Sequence, residues 1–170
     1  MKNIDLPIRY VLAVLIGVFS NIFYWIFSPW TLHSTYWLLS LFFDVILEGN
    51  AITFDSVTFA LIPACTAATA YLLLSLLVLF TRGISVMTRL KMFVYGSLLI
   101  LFFNTLRIFI LIWVHVTFGK NYFDVLHIVF WNVVSTVAVI LIWILLTKHY
   151  KVKGIPVYSD VKYLVGLMKE

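Results

Sequence analysis

Long stretches without a charged residue constrain this chain more than any other feature. Three of them contain no Asp, Glu, Lys or Arg: Tyr10 to Phe43, Ser56 to Thr81 and Val125 to Thr147. A fourth, Met92 to Gly119, is interrupted only by Arg107. About 20 helical residues cross a hydrocarbon core of about 30 Å, so each stretch is long enough to span a bilayer. Only 11% of the residues are charged, against roughly 25% in soluble domains, and a soluble fold is excluded.

The basic residues predict the orientation. They form three groups, at the amino end, between the second and third spans, and in the tail: Lys2 and Arg9; Arg82, Arg89 and Lys91; Lys148, Lys151, Lys153, Lys162 and Lys169. The positive-inside rule places all three groups in the cytoplasm, which leaves Lys120 outside and Arg107 in the membrane. We therefore expect a multi-pass plasma-membrane protein with both termini cytoplasmic.

Four spans satisfy this orientation: about 9–28, 63–81, 91–113 and 126–147. Pro29 fits the end of the first span, and Pro63 fits the first turn of the second. Thr35 to Leu47 is too short to cross and is expected to form an interfacial or re-entrant helix. If it did cross, the basic loop between the second and third spans would be turned outward.

The remaining segments complete the predicted fold. Ala51–Phe54 and Val57–Ala60 are rich in β-forming residues about a turn, which predicts a β-hairpin on the outer side. The fold class is thus an all-α polytopic membrane protein, a bundle of four transmembrane helices with the interfacial helix and the small hairpin. Residues 1–150 form one transmembrane domain. Residues 151–170 form a basic cytoplasmic tail, in which apolar residues at helical spacing predict a surface helix on anionic lipid: Val157, Val161, Leu164, Val165 and Met168.

Three chemically capable side chains fall at one depth. Counting 1.5 Å per residue outward from the cytoplasmic anchors places Cys65 roughly 5 Å and Arg107 roughly 6 Å below the outer boundary. The same count leaves His127 at the boundary. These side chains come from three spans and are predicted to meet at the outer rim.

Arg107 is the least ambiguous of the three. An Arg inside a span costs about 2.5–3.5 kcal/mol, so it is expected to face the bundle interior with a partner or a function. Asn104, one turn inward on the same face, is placed to orient the guanidinium. In the simpler interpretation Arg107 snorkels to headgroups or pairs with an acidic residue only to hold helices together, with Asp44, Glu48 and Asp124 as candidates.

Cys65 and the histidines have simpler interpretations too. Cys65 lies in the first turn of a helix that begins at Pro63, where the helix dipole favours a thiolate, and Thr66 and the small residues after it allow close approach. A lone Cys in a span is more often an apolar filler. His127 could be a structural interfacial histidine, and His115 is a rival for its role.

The chemistry of this set is that of acyl transfer. A thiolate attacks an acyl carbon, a histidine moves protons, and an arginine stabilises negative charge. The alternative is a non-enzymatic membrane subunit or transporter, in which Arg107 and Asn104 form a structural contact or an ion path. A redox role is disfavoured because a single Cys leaves no internal resolving thiol. That single Cys also excludes a paired-Cys metal site, and we expect no cofactor, metal ion or nucleic-acid partner.

The motifs resemble those of the exosortase and archaeosortase family. They are Ile62-Pro-Ala-Cys65-Thr66-Ala, then Asn104-Thr-Leu-Arg107-Ile108, then His127 opening the last span. The resemblance covers about residues 54–139, and the length resembles that of the compact, archaeal forms. Members commonly carry Gly shortly after the Cys, where this chain has Ala67 and Ala68, so the subfamily is left open.

The resemblance implies a function. Members are membrane-embedded cysteine transpeptidases that cleave the carboxy-terminal sorting signals of secreted proteins at the outer face. Cys65 would be the nucleophile, Arg107 the charge stabiliser and His127 the general acid or base, supported by Asn104 and Thr66. The expected partners are a secreted substrate with a sorting motif, a transmembrane helix and a basic tail, membrane lipid, and a lipid-linked acceptor. The hairpin is expected to pair with the extended substrate.

Overall fold

The computed structural model describes residues 5–54, 57–152 and 154–167. Helices dominate the chain, and a three-stranded antiparallel sheet is inserted between the second and third helices. The helices are α1 (Asp5–Val18), α2 (Asn21–Ser40), α3 (Ala68–Phe80), α4 (Val86–Phe118), α5 (Lys120–Val129), α6 (Ser135–His149) and α7 (Tyr158–Leu167). The strands are β1 (Ile46–Glu48), β2 (Ala51–Phe54) and β3 (Val57–Ala60). A 3-10 turn, Pro63–Thr66, precedes α3, and a π-helical turn, Phe130–Val134, joins α5 to α6.

The first predicted span has wrong boundaries. The chain breaks at Phe19 and Ser20, where α1 and α2 meet at 63°, and α2 continues through Pro29 to Ser40. Gly17, Ser20 and Asn21 are weak helix formers, which explains the break. Pro29 does not end the helix because apolar surroundings strongly favour continued helical backbone pairing.

The predicted interfacial helix Thr35 to Leu47 is also wrong. Its first half is the end of α2, and its last residues begin β1. β1 forms because the apolar run before Gly49 pairs with β2 through a two-residue turn, in which Gly49 adopts a φ of +57°. The predicted hairpin is confirmed, with Ala51 opposite Ala60 and Phe54 opposite Val57.

Ring and hydroxyl contacts fix the direction of the helices around the site. Phe23 of α2 lies beside Phe93 of α4, with ring centroids 6.5 Å apart, and the Ser34 hydroxyl lies 2.7 Å from that of Thr105. These contacts advance together along both helices, so α2 and α4 run parallel. α3 runs the opposite way and approaches α4 closely at Gly96, where a Cβ would lie 2.6 Å from Leu74. Small residues permit such close helix packing in membranes.

The basic segments meet at one end of the bundle. Arg9 forms a buried ion pair of 2.7 Å with Asp160 of α7. The Arg82 guanidinium lies 3.7 Å from the centre of the Tyr163 ring and donates to the Ser159 carbonyl. The amino end, the loop before α4 and the tail are therefore neighbours, and α7 is docked on protein. Four apolar residues of the predicted surface helix remain exposed, Val157 just before α7 and Val161, Leu164 and Val165 within it, and Met168 lies outside the described residues.

One helix is long and apolar enough by itself to cross a membrane among the described residues. This is α4, with 33 residues, and the bent pair α1 and α2 would be a second crossing if counted together. α3 and α6 are apolar but have 13 and 15 residues. At 1.5 Å per residue they cover only about 20 Å of a core about 30 Å thick. The four-span arrangement therefore stays a prediction.

Candidate active site

Cys65 lies in a short turn of its own and not in the first turn of a long helix. Pro63–Thr66 form a 3-10 turn, Ala67 adopts the left-handed conformation with φ +54° and ψ +31°, and α3 begins only at Ala68. The prediction that the dipole of the following helix acts on the thiol from within its first turn is therefore wrong. The left-handed residue turns the chain between Cys65 and α3, and the Cys65 side chain is partly exposed.

Asn104 holds the cysteine turn against α4. Its side-chain amide donates to the backbone carbonyl of Cys65 at 2.7 Å, and the side chain is buried. Its Oδ1 has no hydrogen-bond partner in the described parts of the chain. The predicted role of orienting the Arg107 guanidinium is therefore wrong, and Asn104 positions the cysteine backbone. Thr66, the other predicted supporting residue, is fully buried beside Cys65.

Arg107 faces the protein interior, as expected. The residue is only 7% exposed, which rules out a side chain that snorkels to the surface. Its Nη1 donates to the Ser135 hydroxyl at 3.1 Å, and that hydroxyl donates to the Phe130 carbonyl at 2.8 Å. The Phe130 carbonyl also accepts the backbone N–H of Ser135, the bond that closes the π-helical turn, and such turns often occur at functional sites.

Sequence reasoning did not select Ser135. A signal was present, because Ser135 and Thr136 are polar residues inside an otherwise apolar stretch. Hydroxyls are common in apolar helices, however, and the pattern alone did not show that one of them meets the buried arginine.

Charge links the three predicted catalytic residues. Arg107 interacts electrostatically with Cys65 and with His127, and Asp124 on α5 also acts on His127. The guanidinium charge is therefore close enough to influence both the thiol and the imidazole. The three residues come from the cysteine turn, α4 and α5, at the end of the bundle opposite the Arg9–Asp160 pair.

His115 lies in an aromatic cluster beside this group. Its ring packs edge-on against Phe59 at 5.2 Å and against Phe123 at 5.3 Å between ring centroids. Phe123 in turn contacts the His127 ring at 5.4 Å. His115 thus connects the sheet to α5, and its Nδ1 is buried without a hydrogen-bond partner among the described residues.

A cavity of about 600 Å³ opens beside Arg107. One wall is the small-residue run Ala67 to Ala70, and another carries Ser135 and Thr136. The start of α2 closes it with polar side chains: Ser20, Asn21 and Tyr24. A smaller apolar cavity of about 140 Å³ lies on the other side of Arg107, against Asn104. No group of three His, Cys, Asp or Glu placed to hold a metal ion occurs in residues 5–54, 57–152 and 154–167.

Comparison with known proteins identifies the family. No curated protein and no solved structure matches the chain detectably. The sequence model of the transmembrane exosortase family matches residues 4–144, which is most of the 170 residues and includes Cys65, Arg107 and His127. The chain therefore belongs to the transmembrane exosortase family.

Proposed function

We propose that this protein is a membrane-embedded cysteine transpeptidase that cleaves the carboxy-terminal sorting signal of secreted proteins at the outer face and transfers the acyl group to an acceptor. The observation that carries the proposal is the position of Arg107. It is buried, and its charge acts on both the only thiol of the chain and the imidazole of His127.

The groups support a two-step acyl transfer. The Cys65 thiol gives its proton to His127, the thiolate attacks the scissile carbonyl to form the sulfur–carbon bond, and Arg107 stabilises the developing oxyanion. His127 then gives a proton to the leaving amine as the carbon–nitrogen bond breaks. In the second step His127 takes a proton from the acceptor, an amine, a lipid-linked nucleophile or water, which attacks the thioester and releases the thiolate.

The cavity beside Arg107 suits a substrate helix. Its wall of small residues, Ala67 to Ala70, allows a second helix to approach α3 closely. A transmembrane helix seated there would present its outer end near the cysteine turn. Ser20, Asn21 and Tyr24 could satisfy polar groups where that helix ends.

The test is co-expression with a secreted protein that carries a sorting motif, one apolar helix and a basic tail. Wild-type protein should shift the substrate on a gel, and Cys65→Ala should abolish the shift while the protein accumulates normally. Ser75→Ala is a matched control, because Ser75 lies on α3 and its hydroxyl donates only to the Tyr71 carbonyl. Processing that continues in Cys65→Ala would reject the nucleophile and favour a non-enzymatic role.

The predicted orientation has its own test. Cys65 is the only Cys, so every thiol label reports this one position. A membrane-impermeant maleimide applied to intact cells should label it if the site faces outward. If Cys65 is labelled only after the membrane is permeabilised, the site faces the cytoplasm and the predicted topology is wrong.

A further inference from the structure

The outer edge of β3 is an open strand edge close to the cysteine turn. The sheet has the order β1-β2-β3, so within residues 5–54, 57–152 and 154–167 β2 is the one strand that pairs with β3. β3 ends at Ala60, five residues before Cys65. The inner face of the sheet carries Ile52, which is 3% exposed and belongs to the apolar cluster that Cys65 packs against. The chain therefore runs from this open edge directly into the turn that carries the proposed nucleophile.

The hydrogen-bond register shows which main-chain groups lie on that edge. The Leu61 N–H donates to the Asn50 carbonyl at 2.9 Å, and these residues are direct partners in the β2–β3 register. Bonded and non-bonded pairs alternate in an antiparallel ladder. Phe59 is therefore bonded to β2, whereas the N–H and C=O groups of Thr58 and Ala60 point away from it. Thr58 and Ala60 are both exposed.

The same strand reaches towards the proposed general acid. The Phe59 ring on the inner face contacts His115, His115 contacts Phe123, and Phe123 contacts His127. A chain running along the open edge of β3 would lie on the strand that contacts this aromatic cluster through Phe59 and that leads into the cysteine turn. In an extended peptide the scissile bond is exposed, so the Cys65 thiol and the His127 imidazole can both reach it.

We propose that the substrate segment preceding its transmembrane helix binds in extended form as a fourth strand on β3. The proposal rests on the proposed function and specifies how that site recognises its substrate. Main-chain groups of the peptide would pair with Thr58 and Ala60, as in recognition by strand addition. Alternate substrate side chains would face Phe59, so side-chain selectivity would fall on every second position.

A backbone probe tests the proposal without a known substrate. Acetyl-tetra-alanyl chloromethyl ketone is an extended peptide whose chloromethyl carbon is attacked by a thiolate, which forms a thioether and releases chloride. Iodoacetamide alkylates the same thiol without a peptide. The ratio of the two labelling rates at Cys65, followed by mass spectrometry in detergent micelles, isolates the contribution of peptide binding.

Two variants remove the edge donors and keep the β2–β3 ladder. Thr58→Pro and Ala60→Pro each delete one outward N–H, and proline is tolerated at strand edges. Each should lower the peptide-to-iodoacetamide ratio by roughly five-fold, the factor expected for one hydrogen bond. Thr58→Ala and Ala60→Ser keep the N–H and should leave the ratio unchanged. Equal ratios in the proline variants and these controls would overturn the proposal.

Hydrogen exchange gives a readout that does not depend on Cys65 chemistry. The unreactive acetyl-tetra-alanyl methyl ketone should slow exchange of the Thr58 and Ala60 amides in wild-type protein, and a version N-methylated at alternate alanines should not. Unchanged exchange with both peptides would reject strand addition. Slowed exchange of the same amides on raising the protein concentration alone would instead assign the edge to a second copy of this chain, and would also overturn the proposal. Failure of the proposed function shows separately, as processing that survives Cys65→Ala.

Discussion

The side-chain amide of Asn104 donates a 2.7 Å hydrogen bond to the backbone carbonyl of Cys65. Cys65 lies in a four-residue 3-10 turn, which is too short to hold a side chain in a fixed direction by itself. The bond from α4 fixes this turn on the same helix that carries Arg107, one turn further on. The proposed nucleophile and the proposed stabilising charge therefore share one helix as their support.

Replacing Asn104 with Leu should impair catalysis. Leu keeps the approximate side-chain volume but removes the donor, and an unpaired carbonyl costs about 1–3 kcal/mol where it is buried. We expect processing to fall by at least ten-fold, with slower iodoacetamide labelling of Cys65. Thr105→Val is the matched control, since it removes the adjacent contact to Ser34 but leaves the cysteine turn in place. Equal losses in both variants would mean that general helix packing explains the effect.

Arg107→Lys should retain less than a tenth of the activity. Lysine keeps a positive charge, but its single ammonium cannot reproduce the planar fork with which the Arg107 guanidinium donates to Ser135 and presents further N–H groups to an oxyanion. Arg107→Met should abolish processing, because no cation remains to stabilise the oxyanion. Arg89→Lys tests a partly buried arginine at the opposite end of the bundle, where Nη1 donates to the Leu79 carbonyl. Its processing rate should stay near wild type.

His127→Gln should abolish processing, whereas His115→Phe should reduce it by less than about three-fold. Phe preserves the ring contacts that His115 makes with Phe59 and Phe123, so the aromatic cluster survives without the imidazole. Gln cannot exchange protons at His127. The rate of substrate processing in each variant, followed by gel shift, decides which histidine acts as the general acid or base. The opposite pattern would make His115 the general acid or base.

Ala67→Gly should stabilise the protein. Ala67 has a φ of +54°, a conformation that costs an L-residue about 1 kcal/mol more than glycine. For a chain of this length the gain corresponds to a rise of about 2–4 °C in Tm. Ala70→Gly is the control, because Ala70 is a buried residue inside α3 and glycine there should lower the Tm.

The sheet was predicted only in part, because sequence patterns report the preferences of neighbouring residues and not the pairing of distant ones. Alternating β-formers on both sides of a turn identified β2 and β3. β1 was missed because Thr35 to Leu47 was interpreted by its length and apolarity alone. Gly49-Asn50 between two β-rich runs is a two-residue hairpin signal, and it was available in the sequence. The break before Asn21 falls at the weak helix formers Gly17, Ser20 and Asn21, and it was missed because the first span was placed from apolarity and charge alone.

The site could be predicted as a set of residues but not as a geometry. Charge anchors and the rise of a helix placed Cys65, Arg107 and His127 at one depth, and the structure brings them to one end of the bundle. Depth carries no information about side-chain direction, so Asn104 was assigned to the wrong partner. Ser135 was missed because its direction depends on the π-helical turn before α6.

The ion pair between Arg9 and Asp160 provides a prediction about the tail. The Arg9 and Asp160 side chains are 4% and 0% exposed, and removing one partner of such a pair leaves an uncompensated buried charge. Asp160→Leu should therefore destabilise the protein by about 3–5 kcal/mol, measured as a loss of Tm in detergent. The double variant Arg9→Met/Asp160→Leu removes both charges and should recover most of that loss, since apolar replacements of buried pairs are often neutral. Processing by the double variant should remain near wild type, because the pair lies at the opposite end of the bundle from Cys65. A double variant as unstable as Asp160→Leu would show that α7 is held by its shape and not by this charge pair.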